Sequence, residues 1–519
     1  MIDGKLLVEK LLKYAQYFLG LNSRDEIYYR NLLLRELKLV SAYEGELDLS
    51  YIEEFNVPDL LVGELEEYAR ENQIIEEGLE NLFSTYIFGI LTPMPSKVNA
   101  TFMKLKEEKG VVRACEYFYK LCVKNNYVQK TAISRNLKWQ FNDGKKYLEI
   151  TINLSKPEKD NKEIAKLLKP TTEKSKYPAC LLCKENEGYA GTATHPARGN
   201  IRTISLSLGG EPWFVQYSPY AYFNEHLIAI NEKHVPMHIA SDTIDKLFDF
   251  VDFFPNYMIG SNAALPIIGG SILNHEHFQG GGHLMPMHNA PYLKVVGGYK
   301  CKSYKKVKVG IVDWYNSVIR LMGTSRRDVS ALAKVIIEGW ATYTDEKCGI
   351  YAMTGDVRHN SLAPVVRKDG KEYIVDLILR NNITTDEYPD GVFHAHPEYH
   401  NIKKEGIGLI EAMGLFILPG RLKTQLSEVA DILCGNVKYS KVSLSRKTNP
   451  LYVHRDMIAE LVSEGLSETR EQAEARVTGK VNQICKNILF NTSVFKKDDE
   501  GYKGFNRFLE SVGIIHVKK

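Results

Sequence analysis

Residues 269–281 read Gly-Gly-Ser-Ile-Leu-Asn-His-Glu-His-Phe-Gln-Gly-Gly. Side chains alternate along an extended strand, so His275, His277 and Gln279 would share one face if this run is a strand. Two imidazoles and an amide on one face suit a nucleophile with polar helpers, because neutral imidazole is available near pH 7. The flanking glycines allow close approach of a ligand to backbone amides that could hold phosphate. His-x-His by itself is equally a metal pair or a surface pair; the glycines and Gln279 favour an active site.

Cys180-Leu181-Leu182-Cys183 is the second signal. It presents two thiols at zinc-binding spacing, with a redox pair or two buried reduced thiols as the other readings. Zinc needs two more ligands, and the chain has no second Cys-x-x-Cys; His234 and His275 follow 51 and 41 residues further along in turn. A third signal, His394-Ala395-His396-Pro397-Glu398, begins 119 residues after His275. Glu398 stands where the first run has Gln279, so the same nucleophilic apparatus is not rebuilt. A degenerate repeat that binds metal or completes the fold fits, as does a chance pair in a loop. Lys156, Lys159, Arg198, Arg202, Lys403 and Lys404 lie beside these segments and could meet phosphate, although single basic residues are more often solvated surface charges.

The elements that must position these residues are readable in outline. The first ~140 residues are helical in pattern: Leu7, Leu11, Ala15 and Phe18 form one stripe that Gly20 ends, and residues 23–26 have capping-box form. Residues 147–154 alternate as a strand. Residues 156–178, charged and proline-containing, read as a loop. Strands are expected at 201–208 and 213–217 around a Gly-Gly-Glu-Pro hairpin connection, and at 226–230. Ile244, Leu247, Phe248 and Val251 fit a helix that Pro255 stops. A helix at 329–342, a strand at 373–379 and a helix at 408–418 follow, with helical pattern again from Asp456 and a cap from Thr469 with Gln472.

Five long segments, in this order, resemble the second class of galactose-1-phosphate uridylyltransferases of the histidine-triad superfamily: 147–159 (YLEITINLSKPEK), 178–183 (PACLLC), 213–226 (WFVQYSPYAYFNEH), 274–281 (NHEHFQGG) and 393–405 (FHAHPEYHNIKKE). The resemblance runs nearly end to end. It implies an α+β fold of two histidine-triad-like lobes with antiparallel sheets and helical extensions at both ends. The corresponding divisions are 1–145 for the helical region, 146–300 for the first lobe with the active site, and 301–519 for the second lobe with its helical C-terminal region. It further implies ping-pong transfer of UMP from UDP-glucose to galactose 1-phosphate through a uridylyl-histidine, with His277 as nucleophile. Gln279 matches a glutamine suited to hydrogen-bond a non-bridging phosphate oxygen without adding a competing base; hydrolytic relatives carry a third histidine there.

By the same resemblance, Cys180, Cys183, His234 and His275 would hold a structural zinc that fixes the backbone beside His277. A second metal on His394 and His396 would match the first class, but no obvious acidic ligand stands at the corresponding spacing. Asn224 and Glu225 fall where the family meets uridine. Lys156 and Lys159 replace two phosphate-contacting arginines and lose their bidentate fork. Asn262 and Ser271 fall near small polar phosphate contacts, Lys404 is placed to reach the hexose phosphate, and the family often forms homodimers.

Composition narrows the alternatives. The formal charge over 519 residues is +3, and 44% of residues are hydrophobic, so neither disorder nor a polycationic nucleic-acid footprint is indicated. Glu9, Lys10 and Lys13 interrupt the first apolar stretch, which is neither a signal-peptide core nor a membrane span. Eight cysteines are too few for a disulfide scaffold, and reduced thiols in a cytoplasm are expected. A dinucleoside-polyphosphate phosphorylase, a nucleotidyl hydrolase, or a non-catalytic zinc- or nucleotide-binding protein are the competing readings.

Overall fold

The computed structural model describes residues 2–155, 177–268, 270, 272–294 and 298–517. It falls into two compact units, one of Met1–Arg135, Ser155–Val235 and His275–Gly282, the other of Asn136–Leu154, Pro236–Asn274 and His283–Lys519. Helices and antiparallel sheets make up both, the α+β class expected.

The first unit opens with helices Gly4–Tyr14, Glu26–Glu36, Asp59–Glu71, Glu80–Leu91, Pro95–Lys109 and Val111–Lys124. In the first of these Asp3 caps the N-terminus, its carboxylate accepting from the amides of Lys5 and Leu6, and the Leu7/Leu11/Ala15 stripe is buried. The chain continues as a π-helical turn, Ala15–Leu19, before Gly20 ends it at a φ of 72°. The expected capping box at 23–26 is not used. Asn22 accepts from the Arg24 amide instead and starts a 3-10 turn, Ser23–Asp25, that runs directly into the helix.

Four antiparallel strands complete this unit, in the order His277–Gly281, Leu227–Asn231, Glu211–Tyr217, Ile204–Leu208. The last two are joined by Gly209-Gly210 alone. Both glycines have positive φ (60° and 78°), the backbone a tight two-residue hairpin requires. Arg202 leads into this hairpin. Its buried guanidinium donates to the carbonyls of Gly89, Thr92, Pro93, Gly199 and Ile201, so it satisfies acceptors left open at the end of helix Glu80–Leu91. Arg202 is therefore a structural clamp, spent on backbone rather than available for phosphate.

The second unit carries seven antiparallel strands in the order Ile514–Val517, Gly298–Cys301, Lys308–Ile311, Val318–Gly323, Glu372–Asn381, Asn360–Asp369, Met258–Gly260. Helices Ser241–Phe253 and Arg326–Thr342 pack on this sheet. Strands Leu137–Asp143 and Lys146–Ile152 form a hairpin, and Leu415–Leu418 joins it in parallel. That last strand corrects the helix expected over 408–418. Only Leu409–Ala412 is helical, and Gly414, at a φ of 100°, turns the chain into the strand. A short, largely apolar run cannot be assigned by periodicity, because burial on all sides suits strand and helix equally. Helices Arg455–Ser463, Arg470–Asn491 and Asp499–Ser511 supply the expected helical C-terminal region, with Thr469 accepting from the Gln472 amide. No helix among the described residues is long and apolar enough to cross a membrane.

Candidate active site

The strand His277–Gly281 pairs along its length with Leu227–Asn231, setting His277 opposite Ile230 and Gln279 opposite Ile228. Phe278 points to the other face, where it stacks on Trp213 with ring centroids 4.8 Å apart. His277 and Gln279 thus share a face, as alternation requires. His275 does not belong to that strand, which begins at His277; it lies just ahead and serves a different cluster.

His277 is buried, and its Nδ1 donates to the carbonyl oxygen of His275 at 2.8 Å. With the proton held on Nδ1, the lone pair of the neutral ring is on Nε2. Burial holds this imidazole below its ordinary range, outweighing the carbonyl that favours its charged form. The result is a neutral imidazole with a fixed tautomer.

Gln279 is half-buried, and its Oε1 lies 3.2 Å from Nε2 of His226. His226 was legible in the sequence only as the start of a strand; nothing there joined it to a glutamine 53 residues away. The turn just before it holds Asn224, exposed, and Glu225, whose φ is 52°. Gly281 passes close beneath this turn: a Cβ on it would sit 2.3 Å from the Glu225 carbonyl oxygen, at a φ of 147°. Gly281 is thus required for close backbone approach, and it brings the expected uridine-contacting turn and the histidine strand together.

Ahead of the strand, Cys180, Cys183, His234 and His275 converge, with all four ligand atoms within 4.8 Å of one another. Sγ of Cys180 is 3.2 Å from Nδ1 of His275, Sγ of Cys183 is 3.1 Å from Nδ1 of His234, and the two sulfurs are 3.5 Å apart. A tetrahedral zinc with S and N ligands has edges of about 3.4–3.8 Å, so these spacings suit one ion. The outer contact fits as well: Nε2 of His275 donates to the Asn231 carbonyl at 2.8 Å, which leaves Nδ1 unprotonated toward the sulfurs. Burial pushes Cys183 up to about 11, helped by its neighbour Cys180. Asn231 also donates to the buried Glu276 at 2.8 Å, and the Glu276 amide donates to the Val235 carbonyl at 2.7 Å. These bonds tie the ligand loop to the residue between the two histidines. Sequence reading passed over Asn231 and Glu276, because neither belongs to a ligand motif.

Other expected residues stand elsewhere. Lys156, Lys159 and Ser271 lie outside the described residues. Asn262, in the second unit, is buried and accepts from the Leu409 amide at 2.9 Å, so its oxygen is already used. Lys404 is exposed and lines a cleft of about 570 Å³ with Glu398, His400, Arg455 and Lys480. Its neighbour Lys403 is buried against Glu411 at 3.1 Å. His394 accepts the Ile407 amide on Nε2 at 3.1 Å, and His396 donates Nε2 to the Val392 carbonyl at 3.0 Å while stacking on Tyr388. Among the described residues, the cysteine cluster is where three or more metal-ligating side chains meet; His394 and His396 gain no third ligand.

The N-terminal domain of the galactose-1-phosphate uridyl transferase family matches residues 59–236 and its C-terminal domain residues 250–446. Proteins named galactose-1-phosphate uridylyltransferase from Caldanaerobacter subterraneus subsp. tengcongensis, Fusobacterium nucleatum and Bacillus subtilis are 44%, 40% and 40% identical, each over 98% of both chains. Among solved structures, yeast Ap4A phosphorylase Apa2 aligns over 71% of this chain and 92% of its own at 10% identity, with a TM-score of 0.32, too low to carry an argument. Near-complete coverage at such identities, with both family domains in order, leads to one conclusion: the chain belongs to the galactose-1-phosphate uridyl transferase family and is a nucleotidyltransferase.

Proposed function

We propose that this enzyme transfers UMP from UDP-glucose to galactose 1-phosphate in two steps through a uridylyl group carried on His277. The observation that carries the reading is the His277 Nδ1–H bond to the His275 carbonyl, with Gln279 on the same strand face. Nε2 of the neutral ring attacks the α-phosphorus, forming an N–P bond as the P–O bond to the β-phosphate breaks and glucose 1-phosphate leaves. The uridylylated ring is cationic, and the His275 carbonyl continues to accept its Nδ1–H. A phosphate oxygen of galactose 1-phosphate then attacks phosphorus, the N–P bond breaks, and UDP-galactose is released with His277 again neutral. The Gln279 amide meets a non-bridging oxygen and offers no base to activate water.

Asn224 and Glu225 are assigned to the uridine, Lys156, Lys159 and Ser271 to phosphate, and Lys404 to the hexose phosphate. Cys180, Cys183, His234 and His275 would hold zinc, which when bound crosslinks the loop ahead of the histidine strand and performs no chemistry on the substrate.

Intact-protein mass after brief incubation with UDP-glucose tests the reading. A gain equal to one UMP is expected in the wild type and not in His277→Ala. An adduct that survives His277→Ala overturns the nucleophile. No adduct from UDP-glucose, with turnover of diadenosine tetraphosphate instead, overturns the substrate assignment.

A further inference from the structure

We propose that His226 is a positioning residue for Gln279: it donates Nε2–H to Gln279 Oε1 and thereby turns the amide NH2 toward the phosphate held beside His277. This rests on the transferase reading above.

The bond is a consequence of register. Gln279 is opposite Ile228, so His226, two residues earlier on the same face, is its diagonal neighbour, within reach of a long side chain. The imidazole is fixed on three sides. Its ring lies against Phe223, with centroids 4.4 Å apart, and stacks on Tyr222 at 5.4 Å. Its Nδ1 faces the Tyr222 amide, a donor, at 3.5 Å. A nitrogen that faces an N–H must carry the lone pair, so the proton sits on Nε2 and that atom can only donate. Gln279 accepts with Oε1 at 3.2 Å, because a flipped amide would set two donors against each other. With the oxygen engaged, Nε2 of Gln279 is the end left to meet an anion. Full burial holds His226 down to about 4, so it stays neutral in use and acts as a donor rather than an acid. The polarity matters: a Gln279 turned the other way would present its carbonyl oxygen to a phosphate oxygen and repel it.

The test follows single-turnover uridylylation in four proteins: His226→Phe, His226→Gln, Gln279→Ala and the double variant His226→Phe/Gln279→Ala. Loss of one donor to a developing oxyanion lowers a rate by about a hundredfold, the loss expected for Gln279→Ala. His226→Phe keeps the ring packing and removes the donor, and should slow adduct formation by about tenfold or more. His226→Gln, which can place an N–H near the same point, should recover most of that loss. In the Gln279→Ala background, His226→Phe should have little further effect, since it acts through the amide. Melting temperature and metal content identify any variant that has merely lost its fold. An unchanged rate in His226→Phe, or an equal loss in both backgrounds, overturns the proposal. If the wild type itself forms no adduct, it is the transferase reading that fails.

Discussion

His277 and His275 differ by two positions, and the proposed function gives them opposite tasks, which substitutions should separate. His275 gives Nδ1 to the cysteine cluster and Nε2 to Asn231. His275→Ala should therefore release bound metal and lower the melting temperature, as read by elemental analysis and calorimetry. His277→Ala should keep both metal and melting temperature and lose only adduct and turnover. If His275→Ala leaves metal and melting unchanged, the ligand assignment is wrong. With His277 as the proposed nucleophile, its depressed ring would set the acid limb of the reaction. A ring held below 6.5 remains neutral at pH values where an exposed histidine would be charged. The acid limb of the uridylylation rate should accordingly lie below the pH at which an ordinary, exposed histidine titrates. A rate that already declines above pH 7 would refute a buried neutral nucleophile.

At the scale of elements, two glycines distinguish close approach from turn geometry. Gly281 lies under the Glu225 carbonyl, whereas Gly210 in the hairpin has nothing within 4 Å of a Cβ position. Both have positive φ. Gly210→Ala should cost about 1 kcal/mol, the penalty for a left-handed alanine. Gly281→Ala adds a steric clash with backbone and should cost more, about 2–4 kcal/mol, and raise KM for the nucleotide donor by displacing the Asn224-Glu225 turn. Urea titrations of the two variants check the ranking. The elements also show where reading the sequence works. Alternation in the Gly-Gly hairpin and the stripe of the first helix are local patterns, set by backbone period and turn chemistry. The 408–418 run failed because its apolar character reports burial, and burial does not choose between helix and strand.

For the whole molecule, buried histidines set the response to acid. His226 and His454 are pushed down to about 4 and His394 to about 3, and His288 is also well below 6.5, in each case chiefly through burial. Their folded values are depressed, so as pH falls below about 6.5 the unfolded chain takes up protons that the folded chain refuses. Stability is therefore unaffected by these groups above that pH and is lost progressively between about 6.5 and 4. Each group contributes at most about 1.4 kcal/mol per pH unit, and four together approach about 5 kcal/mol per unit. Unfolding free energies between pH 6 and 5 should show this slope, and His454→Gln should reduce it by about one proton. A flat profile across that range would contradict the burial of these rings.

The sequence by itself determined the chemistry on offer. His-x-His-x-Gln, Cys-x-x-Cys and the glycines around them are compact, and strand alternation alone puts His277 and Gln279 on one face. Partnerships across long separations belong to the fold. His226 reaches Gln279 through the register of two strands, His234 and His275 reach the cysteines through two loops, and Arg202 is used on carbonyls more than a hundred residues away in sequence. The physical reason is the range of the interactions. Backbone period and turn preference act over a few residues and are written locally. Hydrogen-bond direction, tautomer and desolvation depend on which distant groups the folded chain brings within about 3 Å.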